Sequence, residues 1–182
     1  MSSAPMSGRK AQAARNDELI LRAARAVFTA DPGAPIAAVA ERAGVGISAL
    51  YRRYPSKEAL LRKLCADGLG LYVEVSERAL ADCGDPWEAF AGYLRGIVDA
   101  DSSSLTINLA GTFTPTEDLG KLSARASALA VEVHHRAVAA GVLRPDVTVA
   151  DIALLFEQLA SIKLGGEERA TQLRHRYLTL AM

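Results

Sequence analysis

The 182-residue chain is poor in aromatic residues, which make up 5% of it, and it has only two cysteines. It contains no run of about 18 apolar residues, the length that a membrane-spanning helix needs. Residues 1–15 are small, polar and basic and have no apolar centre, so they do not resemble a secretory signal peptide. These absences predict a cytoplasmic protein without a membrane span.

The sequence also lacks the usual signatures of an active site. It has no Gly-x-Ser-x-Gly nucleophile elbow, no phosphate-binding loop and no dinucleotide fingerprint. Carboxylate pairs such as Glu117-Asp118 stand where helices begin, and negative charge there stabilises the helix dipole. The adjacent His134 and His135 would point about 100° apart on a helix and cannot bind one metal together. We therefore expect no enzyme activity, no cofactor and no metal.

The two cysteines do not predict a disulfide. Cys65 and Cys83 are 18 residues apart in the sequence, and on a continuous helix they would lie about 27 Å from each other. A disulfide needs α-carbons within roughly 7 Å. We expect both cysteines to be buried as small apolar side chains.

Helix-forming residues are what the chain has in abundance. Half of its residues are hydrophobic, and its plentiful alanine, with leucine, glutamate and arginine, favours helices. No convincing alternation of β-branched residues predicts a strand. The apolar spacing predicts an all-α protein of about nine helices. They span residues 17–30, 35–43, 46–54, 56–82, 87–99, 105–110, 116–140, 149–164 and 167–182.

Two of these helices surround a glycine turn. Ile36, Val39 and Ala40 recur at three and four residues and share one face of the first helix. Gly44 follows that helix, at a point where a left-handed backbone often ends one. The second helix opens with small residues and then carries a tyrosine and two arginines. This order is typical of a helix-turn-helix, whose second helix presents its N-terminal residues to the base edges of DNA.

Charge is distributed unevenly along the chain, although its net value is zero. Residues 1–62 hold ten Lys or Arg and five Asp or Glu, a net charge of +5, whereas residues 63–182 hold eleven and sixteen, a net charge of −5. A basic end favours DNA because it displaces counterions from phosphates. We predict a disordered basic arm over 1–15, a helix-turn-helix DNA-binding domain over 16–62, and a helical regulatory and dimerisation domain over 63–182.

Residues 16–64 resemble the DNA-binding domain of the TetR family of transcriptional regulators. The resemblance rests on the string Leu50-Tyr51-Arg52-Arg53-Tyr54-Pro55-Ser56-Lys57-Glu58, with Val39-Ala40 and Ala43-Gly44-Val45 before it. It implies that Tyr51 and Lys57 contact DNA phosphates and that Arg52 and Arg53 reach a phosphate or a base. It also implies that four residues lie near base edges: Gly46, Ile47, Ser48 and Ala49.

The C-terminal part offers candidates for a ligand pocket. Small-molecule pockets are largely apolar and contain a few polar groups. The candidate wall residues are Trp87, Phe90, Tyr93, Phe113, His134 and Phe156. The alternative is that these side chains simply fill the core.

The last two predicted helices are too apolar to be covered on every side by a chain of this size. Two helices from each subunit would form a symmetric four-helix interface. The candidate interface residues are Ile152, Leu155, Leu159, Ile162, Leu173 and Tyr177. A dimer would also let two recognition helices meet successive major grooves about 34 Å apart. The alternative is burial within one subunit.

Together these features predict a homodimeric DNA-binding transcriptional regulator, a repressor released from a palindromic operator by an unknown small molecule. Two alternatives remain open. One is a helical protein–protein adaptor whose glycine turn is structural. The other is a regulator that responds to no ligand.

Overall fold

The computed structural model describes residues 8–100 and 113–182, and the described residues form eight α-helices and no strand. The helices are α1 (Gly8–Ala30), α2 (Ile36–Ala43), α3 (Ile47–Arg53), α4 (Lys57–Ala81), α5 (Pro86–Asp99), α6 (Glu117–Ala139), α7 (Val149–Ala160) and α8 (Glu167–Ala181). The predicted all-α fold is confirmed. The short helix predicted over 105–110 lies outside the described residues. No helix of the described ranges combines the length and the apolar composition that crossing a membrane requires.

Capping residues set the starts of several helices where the sequence predicts them. The Ser56 hydroxyl accepts a hydrogen bond from the Ala59 N–H at 3.0 Å, which caps α4. The Asp85 carboxylate does the same for α5 through the Glu88 N–H. Thr148 opens α7 with a reciprocal capping box. Such caps satisfy N–H groups that have no partner inside the helix, so local sequence determines these boundaries.

Two helix boundaries differ from the prediction. Residues 1–15 are predicted to form a disordered arm, but α1 begins at Gly8, because the residues from 9 to 15 favour a helix and include neither proline nor glycine. The helix predicted to reach residue 164 ends at Ala160. There the chain turns away, and the Lys163 ammonium donates to the Thr29 carbonyl at 2.8 Å, near the C-terminal end of α1.

The apolar side chains form two cores. The N-terminal core consists of residues from α1 to α4, including the fully buried Phe28 and Leu50. It continues past residue 62 to Cys65, and it takes in Leu119, the third residue of α6. The second core contains residues of α5 to α8 such as Tyr93. Cys65 is buried as predicted, whereas Cys83 is exposed, because it lies in the loop between α4 and α5.

The long helix α4 spans both cores. Its first two turns hold the segment before α6: the Arg62 Nε donates to the Thr114 carbonyl at 2.9 Å, and a Glu58 carboxylate oxygen accepts from the Thr114 N–H at 3.1 Å. Its second half crosses α5 closely. A Cβ on Gly96 would lie 2.8 Å from the Val75 Cγ1, so only glycine allows this approach without displacing the stiff valine. Contacts along α4 therefore connect the two halves of the chain.

Candidate nucleic-acid interface

The turn between α2 and α3 is built around one left-handed glycine. Gly44 has a φ of +66°, a conformation that side chains with a Cβ rarely adopt. Its N–H donates to the Glu41 carbonyl, and the Val45 N–H donates to the Ala40 carbonyl, both at 3.1 Å. These bonds close the C-terminal end of α2 and direct the chain into α3.

Two buried residues determine which side of α3 faces outward. Leu50 is 0% exposed and Tyr54 is 6% exposed, and both belong to the N-terminal core. Other side chains of the helix are open to solvent, since Ile47 and Tyr51 are 40% and 46% exposed. Gly46, Ser48 and Arg52 are also exposed, and Ala49 is half-buried. We call this set, Gly46 to Ala49 with Tyr51 and Arg52, the α3 outer surface. Its contact with DNA stays a prediction.

Arg53 is directed toward α1 instead. Its guanidinium makes a bidentate pair with the Asp17 carboxylate, at 2.7 Å from Nε and 2.9 Å from Nη2. The Tyr54 hydroxyl donates to the same carboxylate at 2.7 Å. These contacts lower the pKa of Asp17, and the hydrogen bond from Arg53 has the largest effect. The pKa of Tyr54 is raised, mainly by burial and then by the hydrogen bond to Asp17. The cluster holds the C-terminal end of α3 on α1, and Arg53 would have to leave Asp17 to reach DNA.

Lys57 also has an internal role. Its ammonium donates to the carbonyls of Pro32 and Ala34, at 2.9 and 2.7 Å, and lies 5.1 Å from the centre of the Phe28 ring. An ammonium has three N–H groups, so one remains for another acceptor. Lys57 therefore fixes the loop between α1 and α2, and its predicted phosphate contact depends on the third N–H.

A cavity of about 350 Å³ lies among α4, α5, α6 and α7. Of the six predicted wall residues, Tyr93 and Phe156 line it. The other four do not line it. Trp87 and Phe90 belong to the second core, and Phe113 packs on the N-terminal core. His134 is engaged with the Val147 carbonyl at 2.7 Å.

The cavity has polar wall residues that sequence reasoning missed: Tyr72 on α4 and Ser123 and Ser127 on α6. The available signal was the spacing of Gly68 and Tyr72, which are four residues apart and therefore share a face of α4. No group of three His, Cys, Asp or Glu residues in the described ranges is arranged to hold a metal ion.

The predicted dimer residues are divided between the core and the surface. Ile152 and Leu159 are 9% and 4% exposed and lie in the subunit's own core, so little of their surface is open to a partner, and their interface role stays a prediction. Leu155, Ile162 and Leu173 are half-buried, and Tyr177 is exposed. Two other apolar side chains stand outward on α7 and α8, Leu154 at 52% and Leu180 at 73%. We call Leu154, Tyr177 and Leu180 the outer α7–α8 face.

Comparisons with known proteins agree with this architecture. Residues 20–64 match the family model described as bacterial regulatory proteins, tetR family. The TetR transcription regulatory protein from Mycobacterium vanbaalenii is 30% identical, with a TM-score of 0.57, and the match covers 92% of this chain and 97% of that chain. No curated protein sequence matches the chain.

Two further solved structures share the fold. LfrR from Mycobacterium smegmatis, solved in complex with proflavine, is 22% identical with a TM-score of 0.63, over 92% of this chain and 96% of that chain. PfmR from Thermus thermophilus is 22% identical with a TM-score of 0.60, over 89% and 95%. Both are described as TetR-family or TetR-like transcriptional regulators.

Proposed function

The chain belongs to the TetR family of DNA-binding transcriptional regulators and is not an enzyme, and from that premise we propose that it is a repressor. In this proposal a homodimer binds a palindromic operator and leaves it when a small molecule binds to the C-terminal part. The observation that carries the proposal is the α3 outer surface. Small side chains open the helix, Tyr51 and Arg52 stand beside them, and Leu50 holds the helix from below.

The roles along this surface follow from its chemistry. Gly46, Ser48 and Ala49 are small enough for the backbone of α3 to approach the floor of a major groove and read base edges, and Ile47 adds an exposed apolar side chain at the same tip. Tyr51, Arg52 and the third N–H of Lys57 lie beside them and would contact phosphates, which position the helix without specifying a sequence. In the same proposal Arg53 positions α3 through Asp17 and reaches DNA only after leaving it.

Arg52→Gln should reduce the salt dependence of DNA binding. Arg52 is exposed and makes no ion pair with the described part of the chain, so its positive charge is available to a phosphate. Each lost phosphate contact lowers the slope of log K against log salt by about 0.9, or about 2 for the two subunits of a dimer. Fluorescence anisotropy with labelled DNA from about 50 to 200 mM salt measures the slope.

Arg78→Gln is the matched control. Arg78 is exposed at the far end of α4, about 31 Å along the helix axis from Lys57. Its removal changes the net charge equally and should leave the slope as in the parent protein. Equal slopes for both variants would contradict a phosphate role for Arg52. Salt-independent binding of the parent protein to a protein partner would instead favour the adaptor.

We propose that the dimer interface lies on the outer α7–α8 face. Its three side chains, Leu154, Tyr177 and Leu180, are large, mostly apolar and more than half exposed. Leu154→Glu should raise the dissociation constant of the dimer at least about 100-fold, because two uncompensated carboxylates would be buried at the interface. Light scattering coupled to size-exclusion chromatography measures the mass. Leu19→Glu, at a similarly exposed leucine of α1, is the control and should remain dimeric. A dimeric Leu154→Glu protein would place the interface elsewhere.

A ligand would act by shifting a population. The dimer would have two states, and only in one of them do the two recognition helices fit successive major grooves. A ligand that binds the other state better weakens operator binding, at most by the ratio of its affinities for the two states. The course of α4 supports this mechanism, because α4 carries Lys57 at one end and lines the cavity with Gly68 and Tyr72. LfrR, which shares this fold, was solved in complex with proflavine, and this supports a small-molecule effector for the present chain.

A further inference from the structure

The cavity is uncharged. None of its lining residues is Asp, Glu, Lys, Arg or His, within the part of the chain that the structure describes. Its polar side chains are those of Tyr72, Tyr93, Ser123 and Ser127, which all end in hydroxyls. Burial raises the pKa of both tyrosines, so these hydroxyls stay neutral at physiological pH. An ion would enter this site without a counterion and would lose part of its hydration, so the walls favour an uncharged molecule.

The two tyrosines leave one hydrogen-bond donor unused. The oxygen of Tyr72 lies 2.6 Å from the oxygen of Tyr93, and one hydroxyl donates to the other. Two hydroxyl groups carry two hydrogens, and this bond uses one of them. No acceptor among the described residues takes the second, although Tyr93 is only 3% exposed. Because no protein acceptor takes this hydrogen, an acceptor on a molecule inside the cavity can receive it.

The serines do not supply that acceptor. The Ser127 hydroxyl donates to the backbone carbonyl of Ser123 at 3.1 Å, one turn earlier on α6. Ser123 is exposed, so water satisfies it. The apolar remainder of the wall includes Ile152 and Phe156, and the Phe156 ring packs edge-on against Tyr93 with centroids 6.2 Å apart. The unused donor therefore belongs to the tyrosine pair, and aromatic packing fixes the Tyr93 ring.

We propose that this cavity binds a compact, uncharged and largely apolar molecule bearing a hydrogen-bond acceptor, such as a ketone or ester oxygen, which takes the second hydroxyl hydrogen of the Tyr72–Tyr93 pair. The volume of about 350 Å³ lies at the small end of small-molecule cavities, which favours a compact ligand. The inference rests on the proposed function, because it names the class of effector for that regulator.

Tyr72 gives the ligand a route to α4. The Tyr72–Tyr93 bond joins α4 to α5, and Tyr72 lies about 22 Å along the α4 axis from Lys57. Lys57 in turn holds the α1–α2 loop through two carbonyls. A ligand that occupies the tyrosine pair changes how α4 is held and so changes the position of the DNA-binding half.

Calorimetric titration of the full chain at pH 7 with four naphthalene derivatives tests the proposal. The set contains 1-acetylnaphthalene (neutral, with an acceptor), naphthalene (neutral, without one), 1-naphthoate (anionic) and 1-naphthylmethylammonium (cationic). We expect 1-acetylnaphthalene to bind about 2- to 10-fold more tightly than naphthalene. It should bind at least about 100-fold more tightly than either ion. Absence of binding by all four, or tighter binding of an ion, would overturn the proposal.

Two single variants and one double variant separate the tyrosine pair from the rest of the wall. Tyr72→Phe and Tyr93→Phe each leave one hydroxyl that still donates, so each should keep the preference for 1-acetylnaphthalene. The double variant has no such donor and should bind naphthalene and 1-acetylnaphthalene equally. Ser161→Ala, which removes an exposed hydroxyl just after α7 and outside the cavity, is the control and should resemble the parent protein. A preference that persists in the double variant would overturn the assignment of the donor.

A separate measurement distinguishes this inference from the proposed function. DNA affinity is compared with and without saturating 1-acetylnaphthalene by fluorescence anisotropy. Binding in the expected order with unchanged DNA affinity would support the ligand class and overturn release by ligand. Binding in the expected order with weakened DNA affinity would support both.

Discussion

Ser48→Trp should reduce the affinity of the protein for its operator to the affinity that it has for random DNA. Ser48 lies exposed in the first turn of α3, where a major groove about 8.5 Å deep would receive it. An indole at this position holds the helix backbone away from the base edges, while Arg52 can still contact phosphates. Because specific binding typically exceeds non-specific binding by 10³-fold or more, we expect a loss of at least about 10³-fold.

The measurement compares two DNA duplexes at one salt concentration. An operator obtained by selecting bound fragments from genomic DNA is titrated beside a scrambled duplex of equal length. Ser48→Ala, which keeps the side chain small, is the control and should change affinity less than about 10-fold. Thermal unfolding of both variants should match that of the parent, since Ser48 is exposed. A Ser48→Trp protein that keeps its preference for the operator would contradict insertion of this turn into the groove.

Phe28→Ala should destabilise the N-terminal core by about 3–5 kcal/mol, the usual cost of truncating a buried phenylalanine to alanine. Phe28 is 0% exposed, and the Lys57 ammonium lies over its ring. The substitution therefore leaves a cavity and removes the surface on which Lys57 rests. A loss of this size is a large part of the stability of a typical domain, about 5–15 kcal/mol, so the DNA-binding half should open first.

Hydrogen exchange followed by mass spectrometry distinguishes the two halves of the chain. In Phe28→Ala, amides of α1 to α3 should exchange much faster, and amides of α5, α7 and α8 should change little, because those three helices contribute to the second core and not to the N-terminal core. Phe28→Leu keeps most of the apolar volume and should cause a smaller loss. A change below about 1 kcal/mol for Phe28→Ala would show that this region repacks around the missing ring.

Features that depend on neighbouring residues were predictable from the sequence. Ser56 and Thr148 cap helices within one turn of themselves, and Leu50 and Tyr54 lie four residues apart, so the inward face of α3 follows from helix periodicity. The family resemblance, and not helix periodicity, implied a position near base edges for Ser48, which is exposed in the structure.

Features that depend on distant residues were not predictable. The Asp17–Arg53 pair joins residues 36 apart in sequence, and only the packing of α3 on α1 brings them together. The sequence does not indicate which face of α7 points outward, because Ile152, Leu154 and Phe156 make that helix apolar on several sides. The aromatic residues assigned to a pocket mostly fill the core, since composition does not distinguish a wall from an interior.

The burial of Leu119 in the N-terminal core means that a residue of the C-terminal part of the chain completes the interior of the DNA-binding helices. A chimera joined at residue 62 would lack Leu64, Cys65 and Leu119 from its interior and the Thr114 backbone from the side chains of Glu58 and Arg62. Exchange of modules between relatives, in the laboratory or in evolution, would therefore succeed only where the crossover carries the start of α6 along with α4.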